Sequence, residues 1–165
     1  MRYLLTLLAC MFFSFTYAEM INNVEYRLPE AAKNWVIANK LENKNGLTLV
    51  YIPENVDKSE AKEFFGVNSN HLSANLDDIT LMKDSLEKLF PGVNIKVEVL
   101  DKGKDSLIYE VIGDKDGMET YHSWGRIFAL KDGTVVISYQ TWDISHIDKV
   151  RALWLPVLKE AHTQN

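Results

Sequence analysis

His122 stands in the run Tyr121-His122-Ser123-Trp124, three residues after Glu119. A histidine beside a serine invites nucleophilic catalysis, with the imidazole taking the hydroxyl proton as the oxygen attacks. Strand geometry opposes it, because neighbours on a strand point to opposite faces. The chain also lacks the Gly-x-Ser-x-Gly turn that exposes a nucleophilic serine. A polar histidine near a strand end is the plainer reading. A secreted hydrolase centred on His122 is kept as the rival, and no catalytic residue is assigned.

Asp114-Lys115-Asp116-Gly117, with Glu119 beyond, has the outline of a calcium loop. Such a loop needs a third oxygen ligand before its glycine and a glutamate farther on, and Lys115 puts a positive charge between the ligands. A solvated turn is expected instead. His71, His146 and His162 are scattered without a second histidine four residues away, so no metal site is expected. Asp77 and Asp78 read as charge at a helix N-terminus, whereas a glycosidase needs two separated carboxyls facing a cleft. Cys10 is the only cysteine, which excludes a thiolate zinc cage, and no cofactor is expected.

The remaining chemistry is aromatic. Tyr139-Gln140-Thr141-Trp142 and the Tyr121, His122, Trp124 group fall on neighbouring strands and could form a surface for a protein or small ligand. The alternative is that these rings only cover the sheet beneath the last helix. Exposure separates the two: the binding reading predicts an exposed aromatic patch near Tyr121, Trp124, Tyr139 and Trp142, and burial of all four under the last helix would overturn it.

The elements that would position these residues alternate between strand and helix signals. Val24 to Leu28 is a short strand or extended arm. Trp35 to Leu41 and Leu47 to Ile52 make a hairpin around Asn45-Gly46, a pair that tolerates positive φ. Ser59 to Phe65 is ambiguous between helical turn and strand, and the Asn and Ser residues that follow suggest an exposed position. Asn75 opens a helix to Phe90 with a capping-box-like start and an apolar face of Ile79, Met82, Leu86 and Leu89. Ile95, Val97 and Val99 alternate with polar residues as a half-buried strand does. Leu107, Tyr109 and Val111 continue the sheet, followed by a polar loop over 113–117. Trp124 to Leu130 and Thr134 to Trp142 flank a tight Lys131-Asp132-Gly133 turn. Ser145-His146-Ile147-Asp148 starts a last helix whose stripe includes Val150, Leu153, Trp154, Val157 and Leu158, with Pro156 expected to kink it or restart it. The sum is an α+β domain: an antiparallel sheet of about five to seven strands packed with two main helices.

Met1-Arg2, an uncharged apolar run from Tyr3 to Tyr17, and the small-residue frame Thr16-Tyr17-Ala18 describe a secretory signal peptide over residues 1–18. A spanning helix needs about 20 apolar residues, more than this run supplies. Leu7-Leu8-Ala9-Cys10 looks like a lipoprotein cleavage site, but cutting there leaves Met11-Phe12-Phe13 on the mature chain, so cleavage after Ala18 is preferred. The expected product is one exported domain over residues 19–165, periplasmic or extracellular and free of cysteine. It has no disulfides to rely on and must be held by its core. The full chain carries a net charge of −5, and loss of Arg2 makes it one unit more negative. An acidic domain repels phosphate backbones and anionic lipids, so nucleic acid is not an expected partner. No transmembrane span is expected in the mature chain.

In element order and aromatic placement the chain resembles the PsbP-like fold. The resemblance is carried by Trp35 before the first hairpin, the helix over 76–90, the Lys131-Asp132-Gly133 turn, the strand Val135 to Thr141, and a terminal helix holding Leu153-Trp154-Leu155-Pro156-Val157-Leu158. It implies an antiparallel sheet sandwiched by helices. It also implies a non-enzymatic accessory, binding or assembly protein, exported in several cases, with no catalytic motif to transfer. Fold does not fix function. The expectation is therefore an exported binding or accessory protein of unknown partner, or else a secreted factor acting on a host or another cell.

Overall fold

The computed structural model describes residues 18–164. The expected signal peptide, with Cys10, lies outside the described residues except for Ala18. The elements run in the order β1 (Glu19–Ile21), β2 (Val24–Tyr26), a 3-10 turn (Glu30–Ala32), β3 (Trp35–Asn43), β4 (Gly46–Pro53), β5 (Glu63–Asn70), α1 (Thr80–Leu89), β6 (Asn94–Lys102), β7 (Ser106–Lys115), β8 (Met118–Leu130), β9 (Gly133–Thr141), α2 (Ile147–Glu160) and β10 (His162–Thr163). Seven strands form one antiparallel sheet in the order β3-β4-β5-β9-β8-β7-β6, and β1, β2 and β10 form a second, small sheet. This is the α+β sandwich expected from the sequence, with the seven-stranded sheet at its centre.

Local chemistry sets the connections, not always where the pattern pointed. Asn43 pairs with Gly46, so the β3–β4 turn residues are Lys44 and Asn45. Gly46, at φ +148, begins β4, where a Cβ would lie 1.8 Å from the Ser69 carbonyl oxygen. The glycine is there for the close approach of β5. The loop expected over 113–117 shrinks to Asp116 and Gly117, with φ of 55° and 77°. Both central residues of a type I′ hairpin turn need positive φ, so β7 runs to Lys115 and β8 starts at Met118. β5 is an interior strand between β4 and β9, not an exposed one, and Phe65, Val67 and Ser69 are buried.

α1 starts at Thr80, five residues later than the capping pattern suggests. The Asn75 side-chain oxygen accepts the Asp77 N–H at 3.0 Å and that of Asp78 accepts the Thr80 N–H at 3.0 Å. These Asx turns compete with the helix for the same backbone groups. α2 likewise begins without a side-chain cap. Asp143 instead accepts the Ser145 N–H at 3.0 Å and its hydroxyl at 2.6 Å. Pro156 lies within α2, which continues to Glu160.

Two cores flank the large sheet. On one face α2 and the small sheet cover Phe65, Val67, Trp124, Ile137 and Tyr139. Trp154 of α2 stacks on Tyr139 at 4.5 Å and on Phe65 at 5.2 Å, and is itself buried. Tyr26 joins the small sheet to the large one, sharing hydrogen bonds with Tyr51 and Glu19. Arg126 of β8 donates to the carbonyls of Leu158, Lys159 and Ala161 at 3.1, 3.0 and 2.7 Å, closing the C-terminal end of α2. Those carbonyls have no partner within the helix. On the other face α1 sets Met82, Leu86 and Phe90 against Ile95, Tyr109, Val111 and Tyr121. α1 therefore covers only the β6–β8 half of that face. Among the described residues, neither helix packs on the half made by β3, β4, β5 and β9.

Candidate functional site

The strand alternation divides the five aromatic and histidine residues singled out in the sequence. His122, Trp124 and Tyr139 point to the α2 face and are buried. Tyr121 points to the α1 face and is also buried, between Phe90 at 5.4 Å and Trp142 at 5.2 Å. Only Trp142, just past β9, is exposed, at 41%. A surface patch of Tyr121, Trp124, Tyr139 and Trp142 does not form, because adjacent positions on β8 and β9 serve opposite faces of the sheet.

His122 belongs to a buried polar cluster. Glu110 of β7 lies directly across from Trp124 of β8. Glu110 Oε1 accepts the Trp124 indole N–H at 2.8 Å and lies 2.7 Å from His122 Nε2. Its Oε2 is 3.4 Å from the Arg151 guanidinium on α2. The imidazole stacks on the Trp124 indole at 4.3 Å with planes 19° apart. Ser123 faces the other side of the sheet, so the adjacent serine is not presented to the imidazole. The geometry fastens α2 to the sheet through a satisfied carboxylate. Glu110 was missed in the sequence, yet a signal was there: it shares its face with Ile108 and Ile112, and a charge on an apolar stripe needs a partner. Among the described residues no three His, Cys, Asp or Glu side chains gather as metal ligands would.

The half of the α1 face that lies away from the helix is the second site; its Ile52, Thr134 and Ser138 are buried, and its other strand residues are half-buried or exposed. β3 contributes Val36, Asn39, Leu41 and Asn43 to it, and β4 contributes Gly46, Thr48, Val50 and Ile52. β5 adds Phe64, Gly66, Asn68 and Asn70, and β9 adds Thr134, Val136, Ser138 and Gln140. None of these carries a charge, in a chain whose residues are 25% charged. At this frequency about four charges would be expected by chance among four residues from each strand. Leu41 is 56% exposed and Val36 41%. Asn68 donates to Thr48 Oγ1 at 2.7 Å, and Gln140 donates to Ser138 Oγ at 3.3 Å. Between the Asn68 and Phe64 rows lies Gly66, where a Cβ would meet nothing nearer than Ser138 Oγ at 3.6 Å. That row is a shallow trough.

One end of the trough is aromatic. Trp142 packs edge-on against Phe64 at 5.6 Å, and the row continues through Tyr121 to Phe90 at the end of α1. A depression of about 780 Å³ opens between Phe64, Trp142 and the 58–62 loop, whose Lys58, Glu60 and Lys62 are the nearest charges. The backbone N–H of Trp142 is tied to the Lys62 carbonyl at 2.8 Å, which fixes the indole at this rim. On the opposite face, Tyr139 donates to Glu63 at 2.6 Å. Burial, and then this bond to Glu63, raise the Tyr139 phenol above its ordinary value, so it stays protonated.

The fold and the sites define a class: the chain has a PsbP-like α+β sandwich fold. It is similar in structure to cyanobacterial PsbP (CyanoP) from Synechocystis sp. PCC 6803, with a TM-score of 0.60 and 16% sequence identity over 90% of this chain and 91% of that one. At that identity the likeness concerns the fold alone. No protein-family model matches the chain, and no curated protein matches it.

Proposed function

We propose that this chain is an exported, non-enzymatic binding or accessory protein whose contact surface is the open sheet face ending at Trp142. The observation that carries the reading is the half-exposed indole at the end of a sheet half that neither helix covers among the described residues, on a face with exposed Val36 and Leu41. Large apolar groups held at the surface in one region mark interaction sites. The buried cluster around His122 gives catalysis no such support, since its carboxylate already accepts the Trp124 indole N–H and contacts the imidazole, and its histidine is 6% exposed. The PsbP-like fold is compatible with an accessory role. Among the described residues no helix is long and apolar enough to cross a membrane. Export rests on the pattern of residues 1–18.

A photoreactive benzophenone amino acid placed at Leu41 or Asn68, and at Lys88 on the solvent side of α1 as a control, tests the surface in the native cell. Adducts from the two sheet positions and none from Lys88 are expected. Equal labelling at all three, or none, would overturn the reading. The intact mass of the protein in envelope and medium fractions tests export: a species beginning at Glu19 is expected.

A further inference from the structure

The open face has a chemistry that selects among partners. Its centre sets the amide and hydroxyl groups of Thr48 and Asn68 beside Val50 and Val136 around the Gly66 trough, with Asn70 and Gln140 as further amides towards its two ends. One end is aromatic, with Phe64 and Trp142. Each amide brings two N–H donors and an acceptor oxygen with two lone pairs. Asn68 and Gln140 spend only part of that capacity on Thr48 and Ser138, and those bonds also hold the amides in place. A protein interface concentrates its aromatic or Arg anchors at its centre, whereas here Phe64 and Trp142 stand at one end. Nucleic acid and other polyanions need Lys and Arg; the four strands present neither on this face, and Lys58 and Lys62 stand only at its aromatic rim, beside Glu60.

Resting on the binding role proposed above, we propose that the open face binds a neutral glycan chain. A sugar ring has an apolar face of C–H bonds and an equatorial edge of hydroxyls that both donate and accept. The indole of Trp142 and the ring of Phe64 match the first, and the Asn, Gln and Thr side chains match the second. An uncharged ligand avoids the larger penalty of desolvating an ion and can re-bond its hydroxyls to the amides, whereas a charged one would leave its ions unpaired. From Val136 to Trp142 the face extends about 20 Å at the rise of a strand, so it suits an oligomer better than a single ring.

The test uses protein expressed from the full chain and neutral hexasaccharides of glucose, mannose, galactose and N-acetylglucosamine as probes. Saturable binding of at least one is expected, read by tryptophan fluorescence and by shifts of the Asn68 and Gln140 side-chain amide signals. Trp142→Ala should weaken it about tenfold, the scale of one aromatic contact. Gly66→Val, which fills the trough at a position with space for a Cβ, should weaken it at least as much. Both variants should keep the wild-type melting profile, and Lys88→Ala should bind as wild type. If no hexasaccharide binds while the benzophenone positions still label a protein partner, the glycan is wrong and the binding face stands. If no hexasaccharide binds and those positions label nothing, both readings fall. Binding that survives both substitutions would overturn the site, and a preference for sulfated or carboxylated glycans would overturn the ligand class.

Discussion

Replacing Glu110 separates a fastening from a catalytic cluster. In Glu110→Ala the Trp124 indole N–H loses its acceptor inside a buried site, and the His122 and Arg151 side chains lose their shared carboxylate. A buried donor left unpaired costs about 1–3 kcal/mol, and removing one partner of a buried ion pair costs about 3–5 kcal/mol. Because Arg151 is half exposed and can turn to water, the expected loss is near 3 kcal/mol, at the lower end of the second range. Glu110→Gln keeps an oxygen for the indole and removes the charge, so it should cost about half as much. For a domain of this size 1 kcal/mol shifts the melting temperature by roughly 2–4 °C, and Glu110→Ala should therefore melt about 6–12 °C lower. Urea denaturation followed by tryptophan fluorescence gives the free energies, and the Trp124 indole N–H resonance reports the bond directly. A loss under 1 kcal/mol for the alanine variant, with that resonance unmoved, would refute the account of Glu110 as the anchor of α2.

Arg126→Leu should detach the end of α2 from the sheet: three carbonyls lose a charged donor, and the expected cost of about 2–3 kcal/mol is checked by denaturation together with faster amide exchange over 157–161. Trp154→Ala should cost about 3–5 kcal/mol, whereas Trp142→Ala, exposed at 41%, should change stability by less than about 1 kcal/mol; a calorimetric comparison of the two checks it, and equal losses would show that the Trp142 ring belongs to the core. Hydrogen bonds from the Ser145 hydroxyl and N–H hold the Asp143 carboxyl below its ordinary 3.8, and Lys102 does the same for Asp77. A carboxyl that is more acidic when folded adds stability above its unfolded value and loses it as the pH falls through the folded one. Denaturation midpoints should thus drop below pH 3.8, and less steeply in Asp143→Asn than in the native protein.

The strands were legible because apolar residues alternate over Ile95 to Val99 and over Val135 to Tyr139, and because Lys131-Asp132-Gly133 marks the β8–β9 turn, whereas the first half of β8 was not. The starts of both helices were not. Asn75, Asp78 and Asp143 bear the right side chains to cap a helix, but a short polar side chain can close a local turn equally well, and only the surrounding chain decides between them. β5 was obscured for a related reason. Its Asn-rich half reads as exposed loop, yet Val67 and Ser69 point into the core while Asn68 and Asn70 point the other way. The candidate site was legible in part. Trp142 could be picked out by type, but its exposure, and the burial of Tyr121, Trp124 and Tyr139, depend on which face the helices cover. That is set by long-range packing, which no local pattern contains.

β9 makes the case for function most directly. Val135, Ile137 and Tyr139 are buried under α2, and packing explains them. Val136, Ser138 and Gln140 face the opposite side, on the half that α1 does not reach, next to Asn68 and Gly66. Stability does not ask for Asn or Gly there: β-branched residues are the better strand formers, and Asn and Gly the poorer ones. Residues that serve a site often do so at the expense of stability, and relieving them should raise it. Asn68→Val breaks the 2.7 Å bond to Thr48, worth about 1 kcal/mol net for a neutral pair, and gains strand propensity of similar size. With apolar Val50 and Val136 on the same face, the balance should be zero or slightly favourable, and the melting temperature should hold or rise. A fall of several degrees would mean that the amide is held for structure, and the open face would lose its strongest claim to be a site.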